Sequence, residues 1–289
     1  MVSARLAIGE GVMKRLAILC SLALATAGPI AAWAQFLPDE IARRPVLEEF
    51  LRTAKIARFE EIGEGVTKPY KLYLKKDGAE LKAAWKNPKG MQLGYLEGWQ
   101  YEIAAYRLDK LIGLNMIPPA VERNFLGKPG ALVLWAENKY SLLKTVEGGI
   151  PIPEEARVHT EKMKWLIRAW DSLIANEDRT GQNILFTEDW RVIIFDHSRA
   201  FRSSSAFTKQ LMYGRDGIRK TPSGDPIIFS RLPRWFVDKI KTLTFENIRA
   251  AVGSTLTAKE IKAILARRDI LLREIGDMVK EQGEAAVLY

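Results

Sequence analysis

Cysteine is almost absent from this chain of 289 residues, because the single one is Cys20. Cys20 lies in an apolar run near the N-terminus that predicts a removable leader, and no thiol follows it. Disulfide bonds, thiolate catalysis and cysteine-ligated metals are therefore excluded from the rest of the chain. Histidine is nearly as scarce, and His159 and His197 alone are too few for a histidine-rich metal site.

Several common catalytic signatures are absent as well. The sequence contains no G-x-S-x-G run, no H-E-x-x-H run and no G-x-x-x-x-G-K-[ST] phosphate loop. The formal net charge is +9, but acidic residues are interspersed with the basic ones, and no aromatic–basic stripe indicates a nucleic-acid groove. The charge fits anionic partners such as nucleotides, lipid head groups or acidic proteins. With 47% hydrophobic and 27% charged residues, we expect one large globular domain or two lobes sharing a cleft.

The first 34 residues have the pattern of an export signal. Met13-Lys14-Arg15 is basic, residues 16–27 carry no charge, and Ala32-Trp33-Ala34 provides the small residues that a signal peptidase recognises. We predict a signal peptide over 1–34 with cleavage before Gln35, and a start at Met13 would give it the usual length. A membrane anchor is the alternative, but the apolar run is shorter than the roughly 20 residues that a spanning helix needs. The mature protein is therefore expected in the periplasm or outside the cell.

The first half of the remaining chain changes its hydrophobic period twice. An amphipathic helix is followed by alternating strands around an Asp-Gly turn, then by a helix with one apolar face, then by a buried strand. The corresponding segments are 38–56 with a possible break at Pro45, strands 71–75 and 81–86 around Asp77-Gly78, helix 101–112 ending at Gly113, and strand 131–135.

The second half predicts mainly helices. An apolar stripe runs over 163–174, two short strands follow at 184–186 and 192–195, and 203–230 is a long polar loop. Thr257 and Glu260 form a capping box at the start of a long final helix. We therefore predict an α+β protein with a β-rich N-lobe over 35–138 and a helical C-lobe over 139–289, and the cleft between them is the expected ligand site.

Three polar residues near the two short strands have the spacing of a metal–phosphate site. Asn183 comes five residues after Asp178, and Asp196 ends the second strand. Phosphoryl transfer requires one carboxylate to orient the attacking hydroxyl, and oxygen ligands that hold a divalent ion against the phosphates. Asp178 fits the first task, and Asn183 and Asp196 fit the second. Taken alone, the same residues also fit ordinary turns and a loop cap.

The N-terminal half adds three features in the order that such a site requires. Gly63-Glu64-Gly65 lies between strand candidates and could cover phosphates, Lys86 ends a strand and could reach them, and Glu102 on the next helix could pair with Lys86. Each feature has an ordinary explanation: a plain turn, a solvated lysine and a solvent-facing glutamate. The order of all of them together carries more information than any one.

These residues resemble the atypical kinases that include phosphatidylinositol 3- and 4-kinases, the bacterial toxin HipA and the secretory-pathway kinases. The resemblance covers about 60–275 and is most specific in the segment 170–183. The matching runs are Ala84-Trp85-Lys86, 102–109 with Ile117-Pro118-Pro119, Trp170 to Asn183, Ile194 to Ser198, and Arg267-Arg268-Asp269.

The resemblance implies a role for each candidate residue. Lys86 would hold the phosphates of ATP, Glu102 would orient Lys86, and Asp178 would be the catalytic carboxylate. The metal ligands for Mg²⁺ or Mn²⁺ would be Asn183 and Asp196. The remaining nucleotide contacts would come from Gly63, Gly65, Trp135 and Glu137, the last two at the hinge.

Two departures leave the reaction open. Several relatives have histidine where this chain has Thr180, and Asp196 is followed by His197-Ser198 rather than glycine. The leading hypothesis is an exported ATP-dependent phosphotransferase acting on a hydroxyl of a protein, lipid or small molecule. An adenylyltransferase, a pseudokinase that only binds, and a translocated factor that meets ATP elsewhere are the alternatives. Basic residues in the loop 203–230 are consistent with an acidic acceptor, although a solvated surface loop is the simpler interpretation, and they are Lys209, Arg215, Arg219 and Lys220.

Overall fold

The computed structural model describes residues 36–63 and 68–289. The predicted signal peptide, its cleavage point before Gln35, and Gly65 lie outside the described residues. Among the helices that are described, none is both long enough and apolar enough to cross a membrane.

The described elements alternate between strands and helices in the first half and are mainly helical in the second. In chain order they are α1 (Pro38–Ala42), α2 (Arg44–Thr53), β1 (Lys55–Glu61), β2 (Tyr70–Lys76), β3 (Ala79–Lys86), β4 (Lys89–Gln92), β5 (Tyr95–Gly98), α3 (Gln100–Ile112), β6 (Ala120–Phe125), β7 (Lys128–Leu134), β8 (Tyr140–Ser141), α4 (Leu142–Glu147), α5 (Glu154–Ile174), β9 (Ile184–Phe186), β10 (Val192–Ile194), α6 (Ser205–Lys209), α7 (Arg234–Lys241), α8 (Phe245–Val252), α9 (Ala258–Gln282) and α10 (Glu284–Val287).

An antiparallel sheet with strand order β1-β2-β3-β7-β6 forms the N-lobe. The hairpin between β2 and β3 turns through two residues with positive φ, Asp77 at 49° and Gly78 at 77°. This is the mirror-image turn whose twist matches that of the strands, so the prediction of a hairpin at this point is confirmed. Leu126 and Gly127 make the same turn between β6 and β7.

The leading segment forms two helices where one broken helix was predicted over 38–56. The break lies at Arg43, and Pro45 occupies the first turn of α2, where its missing N–H would have no helical partner anyway. The last two predicted residues belong to β1 instead. Helix α2 is fixed to the back of α3, because Glu48 accepts hydrogen bonds from Tyr106 at 2.7 Å and Lys110 at 2.6 Å.

Helix α3 packs into the main core together with the C-lobe helices. It is buried along nearly its whole length and ends at Gly113, whose φ of 80° only glycine adopts readily, as predicted. Its Tyr101 hydroxyl donates to Glu260 of α9 at 2.6 Å. A separate, smaller core lies inside the sheet around Leu72, Trp85 and Leu132. The strand end that carries Lys86 is therefore held against a helix that belongs structurally to the C-lobe.

The predicted helices of the second half are confirmed. The apolar stripe over 163–174 is buried in α5, and the capping box at the start of α9 is formed, since Thr257 N donates to Glu260 Oε2 at 2.6 Å. The predicted loop 203–230 contains only the short helix α6. Strand β9 pairs with β10 on one side and with β8 on the other, so the segment after α5 forms a small three-stranded sheet together with β8.

Candidate active site

Lys86 and Glu102 meet at the back of the cleft. Lys86 ends β3, and its Nζ lies 3.0 Å from Glu102 Oε1 on α3, with the two side chains only 10% and 3% exposed. Lys86 Nζ is also 3.2 Å from Asp196 Oδ1. Burial alone would lower the pKa of Lys86, but the carboxylates of Asp196 and Glu102 outweigh it and raise that pKa. The lysine is therefore a permanent cation, fixed where strand, helix and loop converge.

Glu102 stays ionised for the matching reason. Burial by itself would raise the pKa of Glu102, and the charge of Lys86 together with the His197 contacts lowers it well below the ordinary value. The second oxygen of Glu102 accepts a hydrogen bond from the backbone N–H of His197 at 3.2 Å. Glu102 thus connects Lys86 to the loop that begins at Asp196.

Asp196 stands at the point where β10 ends, in a left-handed backbone conformation with φ of 61°. Aspartate tolerates this region better than most residues, and such conformations cluster at functional sites. Its side chain is 34% exposed, so that it contacts Lys86 and still faces the open cleft. The residue predicted as a metal ligand is therefore accessible from the cleft.

The loop after α5 is organised by an arginine that sequence reasoning did not select. Arg179 binds Asp171 through Nε and Nη2, both at 3.0 Å, and the two side chains are almost fully buried. The Arg179 Nη1 group also donates to the carbonyl of Phe195 at 2.7 Å. Bidentate arginine–carboxylate pairs fix geometry in two directions. Arg179 therefore fixes the loop that carries Asp178 to the strand end that carries Asp196.

His197 completes this connection. Its Nε2 lies 2.9 Å from Arg179 Nη2, and because a guanidinium can only donate, Nε2 must be the acceptor. The ring proton is then on Nδ1, which lies 3.9 Å from Glu102 Oε2. Burial and the nearby Arg179 charge lower the pKa of His197, so the ring is neutral. His197 therefore lies between the two halves of the site, in contact with Arg179 on one side and near Glu102 on the other.

Asp178 and Asn183 are connected within this loop, where Asn183 is buried and Asp178 is partly exposed. The Asn183 side-chain N–H donates to the backbone carbonyl of Asp178 at 2.9 Å, and no hydrogen bond in the described residues uses its amide oxygen. The Asp178 carboxylate is 36% exposed, and its Oδ2 lies 3.3 Å from Arg199 Nη1. Burial raises the pKa of Asp178. The charge of Arg199 lowers this pKa, and the carboxylate of Asp196 raises it.

Arg199 is itself held by a carboxylate that was not predicted. Its Nε and Nη2 lie 2.8 and 2.7 Å from Glu97 Oε1, and Glu97 on β5 is buried. The sequence signal was weak, because Glu97 belongs to a short hairpin between Lys86 and α3 that no strong alternation marks. Asp171 and Arg179 were within reach of prediction, since both lie inside the segment that resembles atypical kinases.

The charges of this cluster are unbalanced. Three paired cations stand among five carboxylates, and the charge of Arg219 also acts on Asp178, which leaves an excess of one negative charge. The cations are Lys86, Arg179 and Arg199, and the carboxylates are Glu97, Glu102, Asp171, Asp178 and Asp196.

This excess fits a divalent cation in the cleft. Within residues 36–63 and 68–289 there is no group of three or more His, Asp or Glu arranged to bind a metal. Mg²⁺, however, is usually bound by one or two carboxylates together with the phosphates of the substrate. The exposed carboxylate of Asp196 and the unused amide oxygen of Asn183 are the oxygen ligands that such an ion requires.

The predicted hinge and glycine positions are less informative. Trp135 follows β7, and its backbone N–H donates to the Lys82 carbonyl at 2.9 Å. Glu137 is exposed, and its carboxylate pairs with the Lys82 ammonium at 2.7 Å. Gly63 is exposed and has an ordinary φ, so nothing in the described structure requires glycine there. The nucleotide contacts assigned to these residues remain predictions.

Solved structures with the same fold include two proteins that cover nearly all of this chain. A hydra Fam20 structure determined with sugar has a TM-score of 0.58 at 15% identity, covering 90% of this chain and 95% of that one. The Helicobacter pylori proinflammatory kinase CtkA has a TM-score of 0.54 at 13% identity, covering 81% and 96%. No family model and no curated protein matches the sequence. The chain therefore has the same two-lobed α+β fold as these two structures.

Proposed function

We propose that this protein is an ATP-dependent phosphotransferase that transfers the γ-phosphoryl group to a hydroxyl acceptor. The observation that carries the proposal is that Lys86, Glu102 and Asp196 meet at one end of the cleft and that Asp178 lies at the other end. These residues come from a strand, a helix and two loops that are far apart in sequence. Two solved structures, one of them the proinflammatory kinase CtkA, support the same interpretation at the level of fold.

Each residue has a task in this reaction. Lys86, kept cationic by Glu102, binds the phosphates of ATP as a fixed charge. Asp178 accepts the proton of the acceptor hydroxyl as the acceptor oxygen bonds to the γ-phosphorus. The bond between the γ-phosphorus and the bridging oxygen breaks, and ADP leaves with that electron pair. A half-exposed carboxylate is suited to this task because a substrate can reach it.

Asn183 and Asp196 would hold the metal ion that accompanies ATP, Mg²⁺ or Mn²⁺. When bound, the ion neutralises charge that develops on the phosphate oxygens. The unused amide oxygen of Asn183 and the exposed carboxylate of Asp196 support this assignment.

The acceptor and the compartment are parts of the proposal that rest on sequence. The basic residues of the loop 203–230 favour an acidic acceptor. Among them, Arg219 lies closest to the proposed chemistry, since it donates to the backbone carbonyl of Glu177, next to Asp178. Export before Gln35 would place the reaction in the periplasm or outside the cell, where ATP must be supplied.

The test is phosphate transfer by the purified chain from ATP labelled separately at the γ- and α-positions. We expect γ-label to reach an acceptor, or the protein itself, in a reaction that requires Mg²⁺ or Mn²⁺. Asp178→Asn should lower turnover by roughly 10²- to 10⁴-fold, the usual contribution of a general base. Binding of ATP should be unchanged, because Asp178 does not contact Lys86 in the described structure.

Three results would contradict the proposal or the role it gives to Asp178. Transfer of the α-label instead of the γ-label would identify an adenylyltransferase. ATP binding without any transfer, over a broad set of acidic proteins, lipids and small hydroxyl compounds, would identify a binding module. Full turnover in the Asp178→Asn variant would remove that residue from its role.

A further inference from the structure

The hairpin β4–β5 stands between the two halves of the candidate site. It turns through Leu93 and Gly94, both with positive φ, and its register pairs Gly90 with Glu97 and Met91 with Leu96. Because side chains alternate along a strand, Tyr95 and Glu97 share one face and Leu96 lies on the other. The face with Tyr95 and Glu97 is directed at the loop after β10.

Arg199 fills the space between this hairpin and Asp178. Its guanidinium stacks over the Tyr95 ring at 4.4 Å from the centroid and donates to Glu97 Oε1 from two nitrogens, at 2.8 and 2.7 Å. The third nitrogen, Nη1, is the one that lies 3.3 Å from Asp178 Oδ2. The side chain is 13% exposed. All three nitrogens are therefore committed, two to the hairpin and one to the proposed base.

Further hydrogen bonds connect the same segments. The Gly98 N–H donates to the carbonyl of Ser198 at 3.0 Å, and the Glu177 N–H donates to the carbonyl of Arg199 at 3.2 Å. The Ser198 hydroxyl lies 3.4 Å both from Glu97 and from Asp196. The hairpin, the loop of Asp178 and the loop of Asp196 are thus joined around one arginine.

The consequence for Asp178 follows from elementary electrostatics. Asp178 is partly buried near the carboxylate of Asp196, and a fixed cation beside it stabilises its ionised form in one orientation. Arg199 lies against Oδ2 of Asp178, and the carboxylate is 36% exposed, so a substrate hydroxyl can still reach it. Since Glu97 and Tyr95 already hold the guanidinium, no side-chain freedom is lost when the substrate binds.

We propose that Arg199 is a positioning residue that orients the carboxylate of Asp178, and that the β4–β5 hairpin exists in this protein to hold Arg199 through Glu97 and Tyr95. The inference rests on the proposed function, because it assigns a role within the same reaction. None of the predicted nucleotide contacts lies in the hairpin. The inference assigns the hairpin to the acceptor side of the site.

The kinetic test compares Arg199→Met with Arg199→Lys and Glu97→Gln. Arg199→Met should lower kcat by roughly 10- to 100-fold, the cost of a misplaced catalytic group, while KM for ATP changes little. Arg199→Lys keeps a cation without the fork and should recover part of that loss. Glu97→Gln should fall between wild type and Arg199→Met. Arg157→Met removes an exposed arginine that pairs with Glu154 at 2.8 Å, and it should behave as wild type.

Hydrogen exchange gives a second readout that does not depend on turnover. In Arg199→Met, amide exchange should accelerate in the hairpin 89–98 and in the loop 176–183 but not in β2 and β3. If the wild-type protein binds ATP and transfers nothing, the proposed function fails, and the exchange result still decides whether Arg199 joins these two segments. Unchanged exchange in both segments would overturn the inference.

Three kinetic results would also overturn it. A kcat for Arg199→Met equal to that of wild type would show that Asp178 needs no positioning. A higher kcat would show that the contact restrains the enzyme instead. Equal losses in kcat and in ATP affinity, repeated in Arg199→Lys and Glu97→Gln, would show a general structural role.

Discussion

The two ends of the cleft are built differently. On the nucleotide side, Lys86 and Glu102 form an ion pair that is almost completely buried, between a strand and a helix. On the proposed acceptor side, Asp178 is 36% exposed and lies 3.3 Å from Arg199, which Glu97 and Tyr95 of the β4–β5 hairpin hold in place. The Lys86–Glu102 pair is part of the protein core, whereas Asp178 lies at the surface and is supported by the residues beneath it.

This difference predicts different responses to mutation. Loss of one member of a buried pair leaves an unpaired charge in a medium that solvates it poorly, so stability should fall together with ATP binding. Loss of a contact at the exposed end should affect the rate more than the stability, because water can solvate what remains. Mutations at both ends, and in the residues that support them, can test the contrast.

The largest effect on stability is expected from Lys86→Met. It leaves Glu102 and Asp196 without their shared cation, and we expect a loss of about 3–5 kcal/mol in the free energy of unfolding. Chemical denaturation followed by circular dichroism measures this directly. The matched control is Lys82→Met, which removes an exposed partner of Glu137 and should change the free energy of unfolding far less than Lys86→Met does. Equal losses in the two variants would contradict the contrast between the buried and exposed pairs.

A smaller loss is expected from Arg267→Met, which supports the acceptor side from below. Arg267 is fully buried and donates to the carbonyls of Leu173, Arg202 and Phe207 at 2.7 to 3.0 Å. Its burial without a carboxylate partner lowers the pKa of Arg267 to about 9. Since its removal leaves buried carbonyls unpaired, we expect a loss of about 2–3 kcal/mol.

The control for this variant lies on the same helix. Lys280→Met removes an exposed lysine that pairs with Asp277 at 3.0 Å, and it should change the free energy of unfolding by less than about 0.5 kcal/mol. Thermal and urea denaturation of both variants measure the difference. An Arg267→Met protein as stable as wild type would show that these carbonyls find other partners.

The smallest expected effect concerns Asp109, which supports the nucleotide side from behind. Asp109 accepts hydrogen bonds from the N–H groups of Met116 and Ile117 and pairs with Arg44 at 3.3 Å, yet burial raises the pKa of Asp109 to about 6. The folded state then holds this proton more tightly than the unfolded state does. The stability that Asp109 contributes is complete below pH 4 and is lost as the pH rises through about 6.

The measurement compares wild type with Asp109→Asn between pH 4 and pH 7. The free energy of unfolding of wild type should fall relative to the variant by on the order of 2 kcal/mol across that range. Titrating groups that both proteins share contribute equally to the two free energies of unfolding, so their contributions cancel in the difference. A difference that does not vary with pH would mean that Arg44 keeps Asp109 ionised throughout.

The sequence predicts most of the elements that carry the site. The alternation before Lys86, the apolar face of helix 101–112 and the stripe over 163–174 are local patterns, and local periodicity is what a single sequence reports best. Short spacings such as that from Asp178 to Asn183 also predict proximity correctly, because both residues lie in one turn.

The rest depends on contacts that no local pattern records. Glu97 and Arg199 are 102 positions apart, and the strands of the hairpin that brings them together have only four residues each. The break of the leading segment at Arg43 is similar, because it follows from how α2 packs on α3 rather than from Pro45 alone. The acceptor side was therefore harder to predict than the nucleotide side.

The most direct test of the central claim is calorimetric titration of the purified chain with ATP, with and without Mg²⁺. We predict binding that requires Mg²⁺, disappears in Asp196→Asn and persists in Asp238→Asn, which alters an exposed carboxylate paired with Lys241. Absence of binding by folded wild-type protein, or equal binding by Asp196→Asn, would contradict the claim that this cleft is a metal–nucleotide site.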